Sequence, residues 1–244
     1  MHCDKTVRLG AGVAYGGYAG EVSVASGNLY KVPECSHPEI GVLCDGVAVV
    51  LHGFHMMEWQ NVREVAIIGT GSIGMLAALI SKENNPNLTV DIFYKSSGKR
   101  DFLKKHWDDS FNYLDISEIS IRHNCYDVVL EAVGGRQTDT ITHSIDIVRN
   151  SGSILVFGAF SEDCNCLNKL RQLFYKQITL IGVNSFCKKY DDFQRAVDWT
   201  FAHEDLLSPL LTDFYAINKG CIDAKGVYQS VLDRKLCKGC FVYE

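Results

Sequence analysis

Between residues 64 and 203, short apolar runs of strand length alternate with longer segments of helical periodicity. The predicted strands cover 64–69, 88–94, 127–134, 152–158 and 178–184, with a short strand at 111–113. The predicted helices cover 72–83, 99–107, 137–149, 167–176 and 191–203. Strands that are apolar throughout are buried on both faces, and their alternation with helices is typical of a parallel sheet. The pattern therefore predicts an α/β fold with a doubly wound, Rossmann-type sheet.

The two ends of the chain have a different pattern. Residues 1–45 contain several glycines and alternating stretches such as 21–24, which indicate antiparallel strands and turns. Residues 206–244 predict a helix at about 220–233 and a last strand at 240–243. Together these flanks predict a second, β-rich domain built from both chain ends. The predicted domains are 1–48, 49–206 and 207–244.

A glycine-rich loop stands between the first predicted strand and the first predicted helix. Gly69 permits a tight turn, Gly71 lets the backbone approach a pyrophosphate, and Gly74 lets the helix pack closely on the strand. The helix start adds unpaired N–H groups and the positive end of the helix dipole. The alternative is a glycine-rich turn that binds no nucleotide. The residues predicted to bind a dinucleotide here are Gly69, Thr70, Gly71, Ser72, Ile73 and Gly74.

The end of the second predicted strand distinguishes between nicotinamide cofactors. NAD enzymes place a carboxylate there for the ribose hydroxyls, whereas NADP enzymes place cationic groups there for the 2′-phosphate. Residues 94–97 contain no carboxylate, and Lys95, Ser96 and Arg100 offer cationic and hydroxyl donors. This slot favours NADP, with NAD as the alternative. A basic helix start that only faces solvent would have the same pattern.

Composition narrows the class of partner. The chain has 244 residues, 47% of them hydrophobic and 22% charged, which is typical of a globular protein. A net charge of −5 argues against nucleic-acid binding. No apolar run approaches the roughly 20 residues that cross a bilayer, and the N-terminus lacks a secretory apolar core. We therefore expect a cytoplasmic location and reduced thiols for the ten cysteines.

An ordered set of motifs resembles the zinc-type medium-chain alcohol and polyol dehydrogenases. The motifs are 16–22 with 28–33, the glycine loop, 131–135, 152–154 and 179–185. The resemblance implies hydride transfer between NADP(H) and an alcohol or carbonyl substrate, a polyol or a sugar phosphate, with ribulose 5-phosphate reduction as one candidate. It also implies that 1–48 and 207–244 are parts of a GroES-like catalytic domain. Val133, Gly158 and Asn184 would line the ribose and nicotinamide side. A homo-oligomer would form through the sheet edge near Val183 and Asn184.

The resemblance also implies a zinc site. Asp45 stands at the position of the family's third catalytic ligand, whereas the Cys and His ligands would lie upstream of Gly16. Cys3 resembles the last cysteine of the family's structural-zinc lobe, so we expect the chain to begin inside that lobe. Catalytic zinc needs about three protein ligands, and we therefore expect impaired zinc binding and turnover, with no catalytic residue assigned. The alternative is a non-catalytic dinucleotide-binding sensor or partner subunit.

Two histidines are candidate replacement ligands. His52 and His55 are spaced three apart on one predicted helix. Packed or surface positions are favoured for both, because no second cluster of ligands completes a tetrahedron.

Overall fold

The structure is a computed structural model that describes residues 16–17, 21–34, 37–164, 169–217, 229 and 238–243. The chain divides into two compact units, Gly46–Phe186 and Met1–Asp45 with Cys187–Glu244. Compact units need not coincide with the domains of a family, and the predicted domain boundaries at 48 and 206 stay a prediction. Within the described residues, no helix combines the length and the apolar character that crossing a bilayer requires.

The larger unit alternates strands with helices along the chain. After α1 (Cys44–His55), the elements are β1 (Glu64–Ile68), α2 (Ser72–Asn84), β2 (Thr89–Tyr94), α3 (Ser97–Trp107), β3 (Asn112–Asp115), β4 (Tyr126–Glu131), α4 (Asp139–Ile147), β5 (Val148–Val156), α5 (Leu170–Lys176) and β6 (Thr179–Gly182). A single turn of 3-10 helix lies at Asp108–Ser110, and a 3-10 helix of two turns lies at Ile116–Ile121.

All six strands form one parallel sheet in the order β3-β2-β1-β4-β5-β6. This is the doubly wound order, and the predicted Rossmann sheet is confirmed. Val65 of β1 pairs with Val90 of β2 on one side and with Val128 of β4 on the other. The chain therefore reverses its direction of winding between β1 and β4, where such sheets open a crevice for ligands.

The core explains why most strand residues are apolar. Residues 65–68 of β1 and all of β4 are buried, because helices cover both faces of the sheet. One apolar cluster joins Ile68, Phe93 and Val129 of neighbouring strands to Ile145 of α4. On α2, every residue from 74 to 81 is buried.

Helix α4 ends two residues earlier than the predicted 149, and β5 begins at Val148. Lys176, at the end of α5, causes part of this difference. Its ammonium donates to the carbonyl oxygens of Ile145 at 2.6 Å, Asp146 at 3.0 Å and Val148 at 2.8 Å. These are carbonyls that the end of a helix leaves unpaired. Burial lowers the pKa of Lys176.

The secondary structure of the smaller unit differs from the prediction more than that of the larger unit. Its described elements are 3-10 helices at Ser26–Asn28, Pro38–Leu43, Lys188–Tyr190 and Ser208–Leu210, helices α6 (Asp192–Ala202) and α7 (Glu204–Leu207), and strands β7 (Leu211–Ile217) and β8 (Lys238–Tyr243). The strands predicted from alternation at 21–24 are not observed. Val22 and Val24 are 48% and 37% exposed, since alternation alone supplies no partner for backbone hydrogen bonds.

At the C-terminal end, the predicted last strand is confirmed as β8, which pairs in parallel with β7. Strand β7 was not predicted. The helix predicted at about 220–233 lies outside the described residues.

A buried carboxylate, Asp91, ties three strands together on the side of the sheet opposite the crevice. Asp91 is 6% exposed and accepts hydrogen bonds from the Tyr126 hydroxyl at 2.6 Å and the Asn112 amide at 2.8 Å. Arg122 lies 3.4 Å from the same carboxylate. Burial raises the pKa of Tyr126 well above its usual range, and the hydrogen bond to Asp91 adds to this shift. These contacts tie β2, β3 and β4 together.

Replacing Tyr126 by Phe should lower the free energy of unfolding by about 2 kcal/mol, because it removes a buried hydrogen bond to a charged acceptor. Urea unfolding measures the change. The control is Tyr175→Phe, at a position that is 68% exposed, which should change stability by less than about 0.5 kcal/mol. Equal effects of the two substitutions would contradict the structural role of Asp91.

Candidate functional site

The glycine loop joins the end of β1 to the start of α2. Gly69 has φ +119°, which is left-handed backbone that favours glycine, and a Cβ there would lie 2.9 Å from the Ala132 carbonyl oxygen. A Cβ on Gly74 would collide with the carbonyl oxygen of Gly69. The first turn of α2 therefore sits directly on the end of β1, as the spacing of the glycines predicts.

Gly71 has the opposite surroundings. It caps α2 with φ −79°, and a Cβ built there would meet no protein atom within 4 Å. The N–H groups of the first turn have no acceptor inside the helix, and this turn contains no acidic residue. Thr70, Ser72 and Ile73 are half-buried beside the opening. The open space, the N–H groups and the helix dipole together fit a pyrophosphate.

The crevice is closed on its other side by the turn after β4. A Cβ on Gly69 would lie 3.0 Å from Cγ2 of Val133, whose side chain is 48% exposed. Gly134 and Gly135 follow with φ +59° and +82°. The N–H of Gly135 donates to Ala159 O at 2.7 Å. Three predicted site residues, Gly69, Val133 and Gly158, thus lie on loops that meet at the carboxyl edge of β1, β4 and β5.

Glu131 is a residue that the sequence reasoning did not select for the site. It is fully buried at the end of β4, and its Oε1 accepts from Val133 N at 3.0 Å, Gly134 N at 3.0 Å and Thr140 Oγ1 at 2.7 Å. Its Oε2 has no hydrogen-bond partner within the described residues. The available signal was a carboxylate at the end of a mostly apolar strand, because a buried carboxylate must find hydrogen-bond donors.

The slot after β2 is more exposed. Lys95 and Ser96 are exposed, and Ser96 precedes the first turn of α3. The Arg100 guanidinium donates from Nε at 2.9 Å and Nη2 at 2.7 Å to Oδ1 of Asp101. Its Cζ lies 5.6 Å from the ring centroid of Tyr94. The hydrogen bond to Asp101, with a smaller contribution from Tyr94, raises the pKa of Arg100.

Asp115 is a second residue that the sequence reasoning missed. It ends β3 in register with Tyr94, and its side chain accepts from the Ser117 N–H at 2.9 Å and the Ser117 hydroxyl at 2.7 Å. These bonds lower the pKa of Asp115, and Arg100 adds to the shift. The capping pattern Asp115-x-x-Glu118 was the available signal. The Asp115 carboxylate therefore caps a 3-10 helix, and it lies on β3, the strand next to the end of β2.

Two predicted residues lie apart from the glycine loop. Asn184 is exposed two residues after β6, next to buried Val183, whose N–H donates to Val156 O at 2.8 Å. It therefore lies at the carboxyl edge of the sheet. Asp45 is exposed in the first turn of α1. In the part of the chain that the structure describes, Asp45 belongs to no group of three potential ligands close enough to hold a metal ion.

A single carboxylate does not fit a catalytic zinc, which takes three protein ligands and leaves one open position. The role of Asp45 as a zinc ligand stays a prediction. His52 and His55 both lie on α1, as the sequence indicated.

No protein-family model matches the chain. D-arabinitol dehydrogenase 1 from Uromyces fabae is 23% identical over 234 residues, which cover 92% of this chain and 63% of the relative. TarJ from S. aureus, solved in complex with NADPH, matches 87% of this chain and 66% of its own with a TM-score of 0.72 at 23% identity. A putative zinc-binding dehydrogenase from Sinorhizobium meliloti 1021, bound to NADP, matches 94% of this chain and 66% of its own with a TM-score of 0.80 at 18% identity.

These likenesses are distant, and the chain spans less than two thirds of the length of the arabinitol dehydrogenase. The solved structures support the fold, which is the α/β Rossmann fold described above. The relatives and neighbours agree with the motifs read from the sequence. The chain is similar in sequence and in fold to the zinc-type medium-chain polyol and alcohol dehydrogenases, the family that those motifs indicated.

Proposed function

We propose that this chain binds NADP(H) and belongs to an oxidoreductase that transfers hydride between this cofactor and an alcohol or carbonyl substrate. The observation that carries the proposal is the glycine loop, where Gly74 holds α2 against β1 and Gly71 leaves the helix N-terminus open. The N–H groups of the first turn bind the pyrophosphate. When bound at this edge of the sheet, the cofactor supplies hydride chemistry that no side chain provides.

NADP is preferred over NAD because of the side chains after β2. Arg100 and Asp101 form an exposed pair, with side chains 37% and 64% exposed. Such a pair contributes only about 0–1 kcal/mol, whereas a guanidinium binds a phosphate with stronger, charge-assisted hydrogen bonds. A 2′-phosphate can therefore draw Arg100 away from Asp101, with Lys95 and Ser96 as further donors. Both solved neighbours described above carry this kind of cofactor, NADPH or NADP.

The proposed substrate class is a polyol, with a pentitol or pentitol phosphate as the specific candidate. The name of the D-arabinitol dehydrogenase, a pentitol enzyme, supports the polyol class. The phosphate group is a proposal from the family resemblance alone. Val133 and the loop after β5 bound the space next to the pyrophosphate site, and they would orient the nicotinamide ring and exclude water from it.

A second candidate function is a non-catalytic dinucleotide-binding sensor or partner subunit. The observation that favours it is that Asp45 belongs to no group of three potential zinc ligands among the described residues, whereas the glycine loop is complete. Turnover of NADPH with pentuloses, measured together with zinc content, separates the candidates. Cofactor binding without zinc and without turnover supports the sensor, and cofactor oxidation by the substrate supports the enzyme.

We also propose that the chain forms a homo-oligomer through strand β6. This strand is last in the sheet order, so one of its edges offers N–H and C=O groups to another chain. Its residues Leu180 and Ile181 are half-buried, and on helix α5, which precedes it in the chain, Phe174 and Tyr175 are 74% and 68% exposed. An edge strand that follows a helix with exposed aromatic side chains is suited to pairing with a second copy.

Substitutions of the two glycines should have opposite effects. Gly71→Ala should lower the free energy of unfolding by less than about 1 kcal/mol, yet weaken NADPH binding about tenfold or more because the Cβ fills the open space. Gly74→Ala should cost about 2 kcal/mol or more, because the helix must move off the strand. Urea unfolding and NADPH fluorescence titration measure both. Unchanged NADPH affinity in the Gly71 variant would reject the loop as the pyrophosphate site.

Arg100→Ala should raise the Kd for NADPH about tenfold and leave that for NADH within about twofold, because only NADPH carries the 2′-phosphate. Calorimetric titration with each cofactor measures the two constants. Lys105→Ala removes the same charge from the exposed last turn of α3 and should change neither. An equal loss of affinity for NADPH and NADH in the Arg100 variant would contradict recognition of the 2′-phosphate by Arg100.

Ile181→Lys should convert the proposed dimer to a monomer, because a buried ammonium at the β6 edge costs more than the pairing gains. Light scattering after size exclusion gives the mass. The control is Ile121→Lys, at an equally apolar residue that is 77% exposed outside this edge, which should leave the dimer intact. A monomeric wild type would contradict the proposal directly.

A further inference from the structure

Glu131 joins the two loops that flank the crevice. Its side chain accepts from the N–H groups of Val133 and Gly134 in the turn after β4. Its main-chain oxygen accepts from Phe157 N at 2.8 Å and Gly158 N at 3.2 Å in the loop after β5. One buried residue therefore holds the backbone on both sides of the β4–β5 edge.

The turn after β4 depends on this carboxylate. Gly134 and Gly135 both have left-handed φ values, and a turn of two such residues does not hold its shape by local preference alone. Two of its N–H groups point at one carboxylate oxygen, which the Thr140 hydroxyl also contacts at 2.7 Å. Hydrogen bonds to a charged acceptor are about twice as strong as neutral ones. These hydrogen bonds to Glu131 thus hold the turn in its observed conformation.

The second carboxylate oxygen faces Gly158. A Cβ on Gly158 would collide with Oε2 of Glu131, and it would also collide with the Gly134 backbone. The carboxylate, the turn and the loop after β5 are therefore packed without room for a side chain. From this assembly Val133 extends towards Gly69 of the glycine loop.

We propose that Glu131 is a positioning residue for the nicotinamide half of the cofactor, an inference that rests on the proposed function. In a doubly wound sheet the first half, β1 to β3, takes the adenosine nucleotide, and the second half takes the other nucleotide. The side-chain hydrogen bonds of Glu131 go to the second half of the sheet, in the turn after β4 and at Thr140 of α4. It acts through Val133 and the turn, since its own carboxylate is fully buried.

The same strand offers a matched control. Asp127 lies at the opposite end of β4, is 5% exposed, and accepts from Arg63 N at 2.6 Å and Glu64 N at 3.0 Å. It also pairs with Arg149. Like Glu131, it is a buried carboxylate that holds two backbone N–H groups. It differs in lying at the amino edge of the sheet, away from the glycine loop.

The experiment compares Glu131→Gln with Asp127→Asn by titrating NADPH and adenosine 2′,5′-bisphosphate, which lacks the nicotinamide half. Glu131→Gln should raise the Kd for NADPH about five- to tenfold and leave that for the bisphosphate within about twofold, because only the nicotinamide side is displaced. The fluorescence of bound NADPH should shift back towards that of the free cofactor. Asp127→Asn should lower the Tm but change both Kd values by less than about twofold.

Thr140→Val is the milder second variant, since it removes one of the three donors to Oε1 and keeps the carboxylate. It should weaken NADPH about two- to threefold and leave the bisphosphate unchanged. Equal weakening of both ligands, or equal effects of the Glu131 and Asp127 variants, would overturn the positioning role. Unaltered NADPH affinity in both the Glu131 and Thr140 variants would overturn it as well. A wild type that binds neither ligand would instead overturn the proposed function, and this inference with it.

Discussion

Gly74 lies so close to the carbonyl oxygen of Gly69 that any larger residue there would push α2 away from the end of β1. This contact fixes where the helix begins and where its dipole points. Because β1 lies between β2 and β4, the open N-terminus is placed at the point where the winding of the sheet reverses. The open space at Gly71 lies next to the helix N-terminus only because Gly74 packs tightly on Gly69. The rest of the site is arranged around that helix start.

Buried carboxylates organise the sheet at both of its edges. A charge inside a low-dielectric core is tolerated only when several donors surround it. Asp91 and Asp127 meet this requirement at the amino edge with hydroxyl, amide, backbone and guanidinium donors. At the carboxyl edge, Oε1 of Glu131 accepts from two backbone N–H groups and one hydroxyl, whereas its Oε2 has no partner among the described residues. Buried carboxylates therefore hold neighbouring strands at the amino edge of the sheet, and at the carboxyl edge one of them holds the loops beside the crevice.

The charge of the whole chain and the charge of the slot after β2 have opposite signs. A net charge of −5 is spread over the molecule, whereas Lys95 and Arg100 face the end of β2. Screening limits distant charges to about 10 Å in ordinary buffers, so under the proposed function the local cations would govern the recognition of a 2′-phosphate. The carboxylates of Asp101 and Asp115 lie near these cations and offset part of their charge. However, Asp115 already accepts hydrogen bonds from Ser117, and Asp101 is exposed. An exposed pair can exchange partners at little cost.

The sequence by itself determined the elements whose signals are local. Apolar runs located β1, β2 and β4, and the spacing of Gly69, Gly71 and Gly74 located the loop, because backbone conformation and burial on both faces restrict residue type directly. Only the tertiary structure decided that Glu131 holds two loops, that Lys176 donates to the last carbonyls of α4, and that β7 pairs with β8. These features depend on contacts between residues far apart in the chain. A carboxylate, a lysine or an alternating stretch has the same local pattern whether or not the fold brings it a partner.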